Sequence, residues 1–328
     1  MPEMTLPIVD IAPFFSGDPD KKAAVAKDFA NAFETVGFAV ITGHGVPEEL
    51  LDGTYQAMSA FFDAPLDTKM SYSPPEQAKG RGYLPMGIES VARTLKGETP
   101  PDLCEALVFG APHHEGEPGH KPNFYPEQPP QLSELVAQYT REIVRLNAAL
   151  MKLSALALDL PEDYFDPMYA DPSLTLRFVN YPDQEEEPLP GQLRYGEHHD
   201  YGAITILRQD AAPGGLQVCD LDGEWKEARV VPGSFVINVG DLLSRWTNDR
   251  WQSTLHRVSN PSRELTGSTR RLSMVAFTGP SADTVVSAIP TCVTPDNPAK
   301  YEPVTAGEYI MSKIRSSHEI AKPVSKSA

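Results

Sequence analysis

Tyr195-Gly-Glu-His-His-Asp-Tyr-Gly-Ala-Ile-Thr-Ile-Leu-Arg-Gln-Asp210 is the stretch whose reading decides the fold. His198 and Asp200 lie two residues apart, just before an apolar, β-branched run from Ala203 to Leu207. In extended backbone, alternate side chains project from one face, so His198 and Asp200 point together and His199 points away. An imidazole nitrogen and a carboxylate oxygen on one side make two thirds of a divalent-metal site. His-x-Asp is a common tripeptide, however, and most instances are ordinary turn or surface residues. The assignment therefore needs a third ligand from elsewhere in the chain.

His256, in Leu255-His-Arg-Val258, is the candidate, 256 − 198 = 58 residues downstream. That gap holds several strands and can return the chain to the mouth of a barrel. Two histidines and one carboxylate leave three adjacent positions of an octahedron open, which suits non-haem Fe(II). A structural zinc site would be closed by four ligands. Next along the chain, Arg271 and Ser273 share one face of a strand with Val275, and Arg270 has the opposite parity. A guanidinium beside a hydroxyl can grip a carboxylate through charge-assisted hydrogen bonds.

Composition narrows the function classes. The 328 residues are 41% hydrophobic and 22% charged, as expected of a soluble globular protein. The net charge of −17 repels phosphate backbones and makes nucleic acid an unsuitable partner, so a small anionic ligand would need a local cation. Cys104, Cys219 and Cys292 are odd in number, far apart and outside any C-x-x-C, which indicates neither a disulfide framework nor a zinc knuckle. Met1 to Leu6 lacks the charged-then-apolar pattern of a secretory signal, and no apolar run approaches ~20 residues. A cytoplasmic protein with no membrane partner is expected; the oligomeric state is unreadable.

The 32 prolines, about twice the usual ~5%, are spread along the chain and imply many stiff connections. Leu6–Ile11 and Gly37–Thr42 read as strands, and residues 21–36 and 47–62 as helices. Gly43-His-Gly45 lacks the glycines and Lys of a phosphate loop, so His44 reads as a turn residue. Residues 69–130 read as irregular, with His113, His114 and His120 as loop histidines in a Pro-rich segment. Residues 131–159 carry an apolar stripe from Leu132 to Leu158, a scaffold helix laid along a sheet. A short helix is expected over 162–169. From Leu174 onward short strands recur between turns, as in a sandwich or barrel, and the tail beyond about Ser316 reads as frayed.

The ordered set of motifs resembles the iron(II)/2-oxoglutarate-dependent oxygenases, in the branch similar to isopenicillin N synthase. The likeness runs through Pro7-Ile-Val-Asp10, Gly43-His-Gly45, Asn180-Tyr-Pro182, His198-His-Asp200-Tyr-Gly202, Gly214-Gly-Leu-Gln-Val218, Pro232 to Asp241, His256-Arg-Val258 and Arg271-Leu-Ser273. His199 departs from the Thr often found there. The resemblance implies a mixed α/β fold with a mainly β core, a double-stranded β-helix (jelly roll) flanked by helices. One oxygenase domain would span 1–328: an N-terminal section to 173, a jelly-roll core over 174–280 and a C-terminal segment over 281–328. By the same resemblance His198, Asp200 and His256 ligate Fe(II), and Arg271 and Ser273 hold the distal carboxylate of 2-oxoglutarate beside Tyr181. Such an enzyme uses O2 to oxidise a small organic molecule by hydroxylation, desaturation or ring closure, with release of succinate and CO2.

Arg81, Tyr83, Phe109, Phe178 and Phe277 are the candidate substrate contacts, from loop position or strand parity. Two alternatives stay open at this point: an isopenicillin N synthase-like oxidase that spares 2-oxoglutarate, and a non-catalytic metal-binding jelly roll. A zinc hydrolase ranks last, because no H-E-x-x-H is present.

Overall fold

The computed structural model describes residues 3–4, 6–75, 78, 80–112, 121–184 and 186–320, without side chains for 3–4 and 316–320. His113, His114 and His120 lie outside the described residues. The N-terminal section runs β1 (Glu3–Met4), β2 (Ile8–Asp10), α1 (Pro19–Thr35), β3 (Phe38–Thr42), α2 (Glu48–Phe62) and α3 (Leu66–Met70). It continues through β4 (Gly82–Leu84), α4 (Arg93–Lys96), β5 (Glu105–Gly110) and α5 (Leu132–Ala157). Strands β6 (Ser173–Tyr181), β7 (Tyr195–His198), β8 (Ile204–Arg208), β9 (Leu216–Cys219), β10 (Trp225–Ala228) and β11 (Phe235–Val239) follow. The chain ends with α6 (Asp241–Trp246), β12 (His256–Val258), β13 (Arg271–Gly279), β14 (Val285–Val286), β15 (Val304–Thr305) and α7 (Ala306–Ile320).

Two sheets form the core. One has eight strands in the order β2-β3-β11-β8-β13-β6-β5-β4, the other five in the order β1-β10-β9-β12-β7. Their facing sides meet through Phe38, Val40 and Val236 of the larger sheet and Leu216, Val218 and Ala228 of the smaller. This is the jelly roll that the resemblance implies. The outer face of the larger sheet is also buried. Leu174, Leu176 and Phe178 of β6 and Leu272, Met274 and Ala276 of β13 pack in one cluster with Val136, Tyr139, Ile143 and Leu150 of α5. At period two, the intervening residues of the same strands face the smaller sheet. Helix α5 runs 26 residues, roughly 39 Å at 1.5 Å per residue, and lays its apolar stripe along the sheet.

The N-terminal section also shapes the approach to His256. Gly37 closes α1 at φ +73°, and a Cβ there would lie 2.1 Å from the Gln252 carbonyl oxygen and 2.5 Å from Thr254 Oγ1. Only glycine fits both the backbone and the space. The gap it leaves lets Thr254 Oγ1 donate to the Val36 carbonyl at 2.6 Å, fixing the segment that leads into β12.

Three expectations are corrected. Residues 69–130 are not irregular throughout: β4 and β5 extend the edge of the larger sheet, with β5 pairing β6 from Glu105↔Asn180 to Gly110↔Thr175. Strand β5 is buried along its whole length, so its sequence lacks the alternation that marks a half-exposed strand. The short helix expected over 162–169 shrinks to a 3-10 turn at Asp166–Tyr169. Helix α7 continues past Ser316 to Ile320.

Candidate metal centre

Strand β7 ends at His198, and β12 begins at His256 directly opposite it in antiparallel register. Asp200 lies just past the end of β7, where its carbonyl accepts from the Asp241 backbone N–H at 2.7 Å. These contacts bring three buried side chains to one point. Asp200 Oδ1 is 3.5 Å from His198 Nε2 and 3.7 Å from His256 Nε2, and the two ring centroids are 4.1 Å apart. All three potential ligand atoms lie within 4.8 Å of one another.

The remaining atoms of these side chains are held so that the converging ones stay free. His198 Nδ1 faces the Gly196 carbonyl at 2.9 Å and His256 Nδ1 the Thr254 carbonyl at 3.0 Å. A carbonyl can only accept, so each Nδ1 carries the proton and each Nε2 presents a lone pair. Asp200 Oδ2 accepts from Thr205 Oγ1 at 2.6 Å and from Asn238 Nδ2 at 2.7 Å, which leaves Oδ1 toward the histidines. Burial by itself would raise the Asp200 pKa, but His256, His198 and Asn238 together outweigh it and hold the carboxyl well below the usual range. Burial, reinforced by His198, pushes His256 down to about 4. At neutral pH the donor set is therefore a carboxylate with a neutral His256 imidazole, chemistry that fits a divalent first-row metal. His199 turns away and meets the Ser253 carbonyl at 3.0 Å.

These ligand atoms line a cavity of about 60 Å³ between the sheets. Tyr181, Ser273, Val275 and Phe277 of the larger sheet line it, with Tyr195 and Val258 of the smaller. Arg271 pairs with Tyr181, and Ser273 with Val179, across β13 and β6. Arg271 is 1% exposed, and its Nη1 donates to the carbonyls of Asp210 (2.7 Å) and Ala212 (3.0 Å). Its Nη2 donates to Gln209 Oε1 at 3.2 Å, while Nε is buried with no partner among the described residues. Arg271 is not among the residues that line the cavity, but by strand parity it shares a face with Ser273, which is, and an orphaned N–H on a buried cation there fits a carboxylate ligand. Arg270 faces the other way, to Asn180 Oδ1 at 2.9 Å and to Asp63.

Among the five candidate substrate contacts, Phe277 lines the cavity. Tyr83, Phe109 and Phe178 instead lie in the core between the larger sheet and α5. Phe178 packs edge-on against Phe109, and the Tyr83 hydroxyl donates to Glu105. Arg81 lies against Gly110, with its Nη1 on the Gly80 carbonyl at 3.0 Å, and is not among the lining residues. The residue that sequence reasoning missed is Arg177. It lines the cavity, pairs through both Nη atoms with Glu89, sits 5.4 Å from the Tyr195 ring centroid and keeps a buried Nε without a partner among the described residues. Its parity with Tyr181 was the available signal. A larger hollow of about 720 Å³, between α1 and the end of α5, has no part of the metal-binding cluster in its walls.

Comparison with known proteins agrees with this geometry. Residues 6–131 match the family described as non-haem dioxygenase in morphine synthesis N-terminal, and residues 170–280 match the 2OG-Fe(II) oxygenase superfamily. The chain is 32% identical over 334 residues to the 2-oxoglutarate-Fe(II) type oxidoreductase hxnY of Emericella nidulans, covering 98% of this chain and 92% of that one. It is 31% identical to homoarginine-6-hydroxylase 2-ODD-233 of Oryza sativa subsp. japonica, over 94% of this chain and 96% of the relative. A full-length Neurospora crassa protein solved in complex with alpha-KG is similar at TM-score 0.83 and 30% identity, covering 97% and 96% of the two chains. These relatives do not favour an oxidase that spares 2-oxoglutarate or a non-catalytic jelly roll. Fe(II), 2-oxoglutarate and O2 are the cofactor and co-substrates of such enzymes, and the chain belongs to the 2-oxoglutarate/Fe(II)-dependent oxygenases, oxidising a small organic molecule.

Proposed function

We propose that His198, Asp200 and His256 hold the ferrous ion and that Arg271 and Ser273, beside Tyr181, hold the distal carboxylate of 2-oxoglutarate. The observation that carries this reading is the convergence of two Nε2 atoms and Asp200 Oδ1 on a cavity that Ser273 and Tyr181 also line. When bound, iron with the 2-oxoacid and O2 supplies the oxidising power, with release of succinate and CO2. The protein's own share is to fix ligand tautomers through Gly196 and Thr254, to orient the carboxylate through Thr205 and Asn238, and to keep the cavity dry with Phe38, Val275 and Phe277.

The substrate, in this reading, is a compact, partly apolar molecule with a hydrogen-bond acceptor. Arg177 offers the polar end: a buried guanidinium on the cavity wall, paired with Glu89 and beside Cys104. Two similar proteins fit that size and polarity. One is a proline hydroxylase of Petromyces alliaceus, 30% identical, and the other is the Neurospora crassa protein, solved also with alpha-KG and thymine. In the same reading the protein works in a reducing cytoplasm on small molecules and not on nucleic acid, which its free cysteines and net charge of −17 support; no helix among the described residues is long and apolar enough to cross a membrane. The test is a metabolite screen for substrate-stimulated succinate release by the iron-loaded protein. Small nitrogenous acceptors are expected to stimulate it, and Arg177→Met to abolish the stimulation while keeping substrate-independent turnover of 2-oxoglutarate. Stimulation that survives in Arg177→Met would remove Arg177 from substrate recognition.

A further inference from the structure

Two buried guanidinium groups share one loop. Arg194, immediately before β7, is 0% exposed, and Arg271 is 1% exposed. Arg194 Nη1 donates to the carbonyls of Pro213 (2.6 Å) and Gly214 (3.1 Å), and its Nη2 donates to the Thr269 carbonyl at 2.5 Å. Arg271 takes the carbonyls of Asp210 and Ala212 from the same loop. Residues 210–214 thus turn four carbonyl oxygens onto two cations. Gly214 makes that wrapping possible at φ +72°, where a Cβ would lie 2.5 Å from the Pro261 nitrogen.

Carbonyl dipoles solvate a cation but carry no net charge. Among the described residues, none of the acceptors on either guanidinium is a carboxylate. The nearby acids Asp210, Asp183 and Glu227 act on the two guanidiniums through their fields and not through direct hydrogen bonds. Asp210 accepts from Tyr55 Oη at 2.7 Å and from the Leu272 N–H at 3.2 Å, and Asp183 accepts from Ser268 Oγ at 2.8 Å and from the Thr269 N–H. Glu227 stands across Gly215 from Arg271. Each arginine keeps a buried Nε without a partner among the described residues. Burial, with Arg271 as the next cause, pushes the Arg194 pKa down to about 10. The two buried positive charges repel one another, the neighbouring carboxylates offset only part of the cost, and a bound anion would relieve more of it. A purely structural tie between β7 and the loop would not need the second charge.

We propose that Arg194 is a positioning and charge-selecting residue for 2-oxoglutarate: it holds the 210–214 loop that aims Arg271, and it adds the second buried positive charge that makes this end of the cavity prefer an oxoacid with a distal carboxylate. The proposal rests on the reading that Arg271 and Ser273 hold that carboxylate. Neither Arg194 nor Arg271 is among the residues that line the cavity, so Arg194 acts through the 210–214 loop that it shares with Arg271 and through its field.

The test measures anaerobic binding to the iron-loaded full chain, by calorimetry, of 2-oxoglutarate and of 2-oxopentanoate, which has the same carbon chain without the distal carboxylate. Arg194→Met is expected to weaken 2-oxoglutarate about tenfold or more and to leave 2-oxopentanoate within about twofold. Arg194→Lys, which keeps the charge, should fall between Met and the native residue, and it serves alone if the Met variant does not fold. Equal weakening of both oxoacids would make Arg194 a structural tie, and no change in either would remove it altogether; both results overturn the proposal. Arg271→Leu separates the two readings. If it leaves 2-oxoglutarate binding unchanged, the carboxylate clamp itself is misplaced. If it weakens binding but Arg194→Met does not, only the role of Arg194 is lost.

Discussion

His198 and His256 face each other across the β7–β12 pair, in direct register, with ring centroids 4.1 Å apart. Residues 58 positions apart in the chain (256 − 198) are thereby fixed by the backbone hydrogen bonds of a sheet, a stiffer frame than a loop provides. Asp200 completes the set from the turn that follows, where a Cβ on Gly240 would lie only 3.1 Å from the Asp200 carbonyl oxygen.

His256→Ala removes one of three donors and an imidazole that packs edge-on against Phe38. Iron stoichiometry and succinate formation are expected to fall by at least about a hundredfold, with the far-ultraviolet circular dichroism of the sheets retained. Full iron binding in the variant would contradict the assignment of His256 as a ligand.

Asn238→Ala deletes one of two donors to Asp200 Oδ2 without touching a ligand. Iron affinity should drop by about 10- to 100-fold, the usual cost of losing a partner that orients a ligand. Metal titration against a competing chelator reads this directly, and an unchanged constant would show that Thr205 alone orients the carboxylate.

Asp102 supplies a pH dependence. Its carboxylate accepts from the Val91 N–H at 2.8 Å and the Gly196 N–H at 2.9 Å, and burial pushes its pKa up from 3.8 to about 6. A carboxyl whose pKa is raised on folding stabilises fully below its unfolded pKa, and that contribution is lost as pH rises through the folded value. The loss amounts to about 3 kcal/mol at about 1.4 kcal/mol per pKa unit. The stability gap between wild type and Asp102→Asn should therefore be widest near pH 4 and narrow above pH 6. Melting temperatures of the metal-free proteins across that range check it, and a pH-independent gap would mean that Asp102 stays ionised in the fold.

Gly37→Ala forces a Cβ onto the Gln252 carbonyl at a positive φ. A loss of more than about 2 kcal/mol is expected in denaturant unfolding. Because Thr254 passes its position to His256, iron affinity should fall in the same variant. Wild-type stability would show that the turn can rearrange freely.

Ligand chemistry was legible in the sequence because it demands particular residue types at particular spacings. His198, Asp200 and His256 and the Arg271–Ser273 pair are named by what metal and carboxylate binding require, whatever lies around them. Strand β5 was hidden for the opposite reason. With both faces buried, Glu105–Gly110 has no polar alternation to distinguish it from any apolar run.

The sequence by itself determined the motif order, the long scaffold helix α5 and the identity of the converging side chains His198, Asp200 and His256. Apart from the parity of Arg177 with Tyr181, the faces of β6 look alike in sequence, and the tertiary structure decided that Arg177 and not Phe178 meets the cavity. Both faces of the larger sheet are covered, one by helices and one by the second sheet, so hydrophobicity cannot tell inside from outside along these strands. The pairing of Arg194 with Arg271 was likewise invisible, since residues 77 positions apart (271 − 194) meet only because the 210–214 loop wraps both.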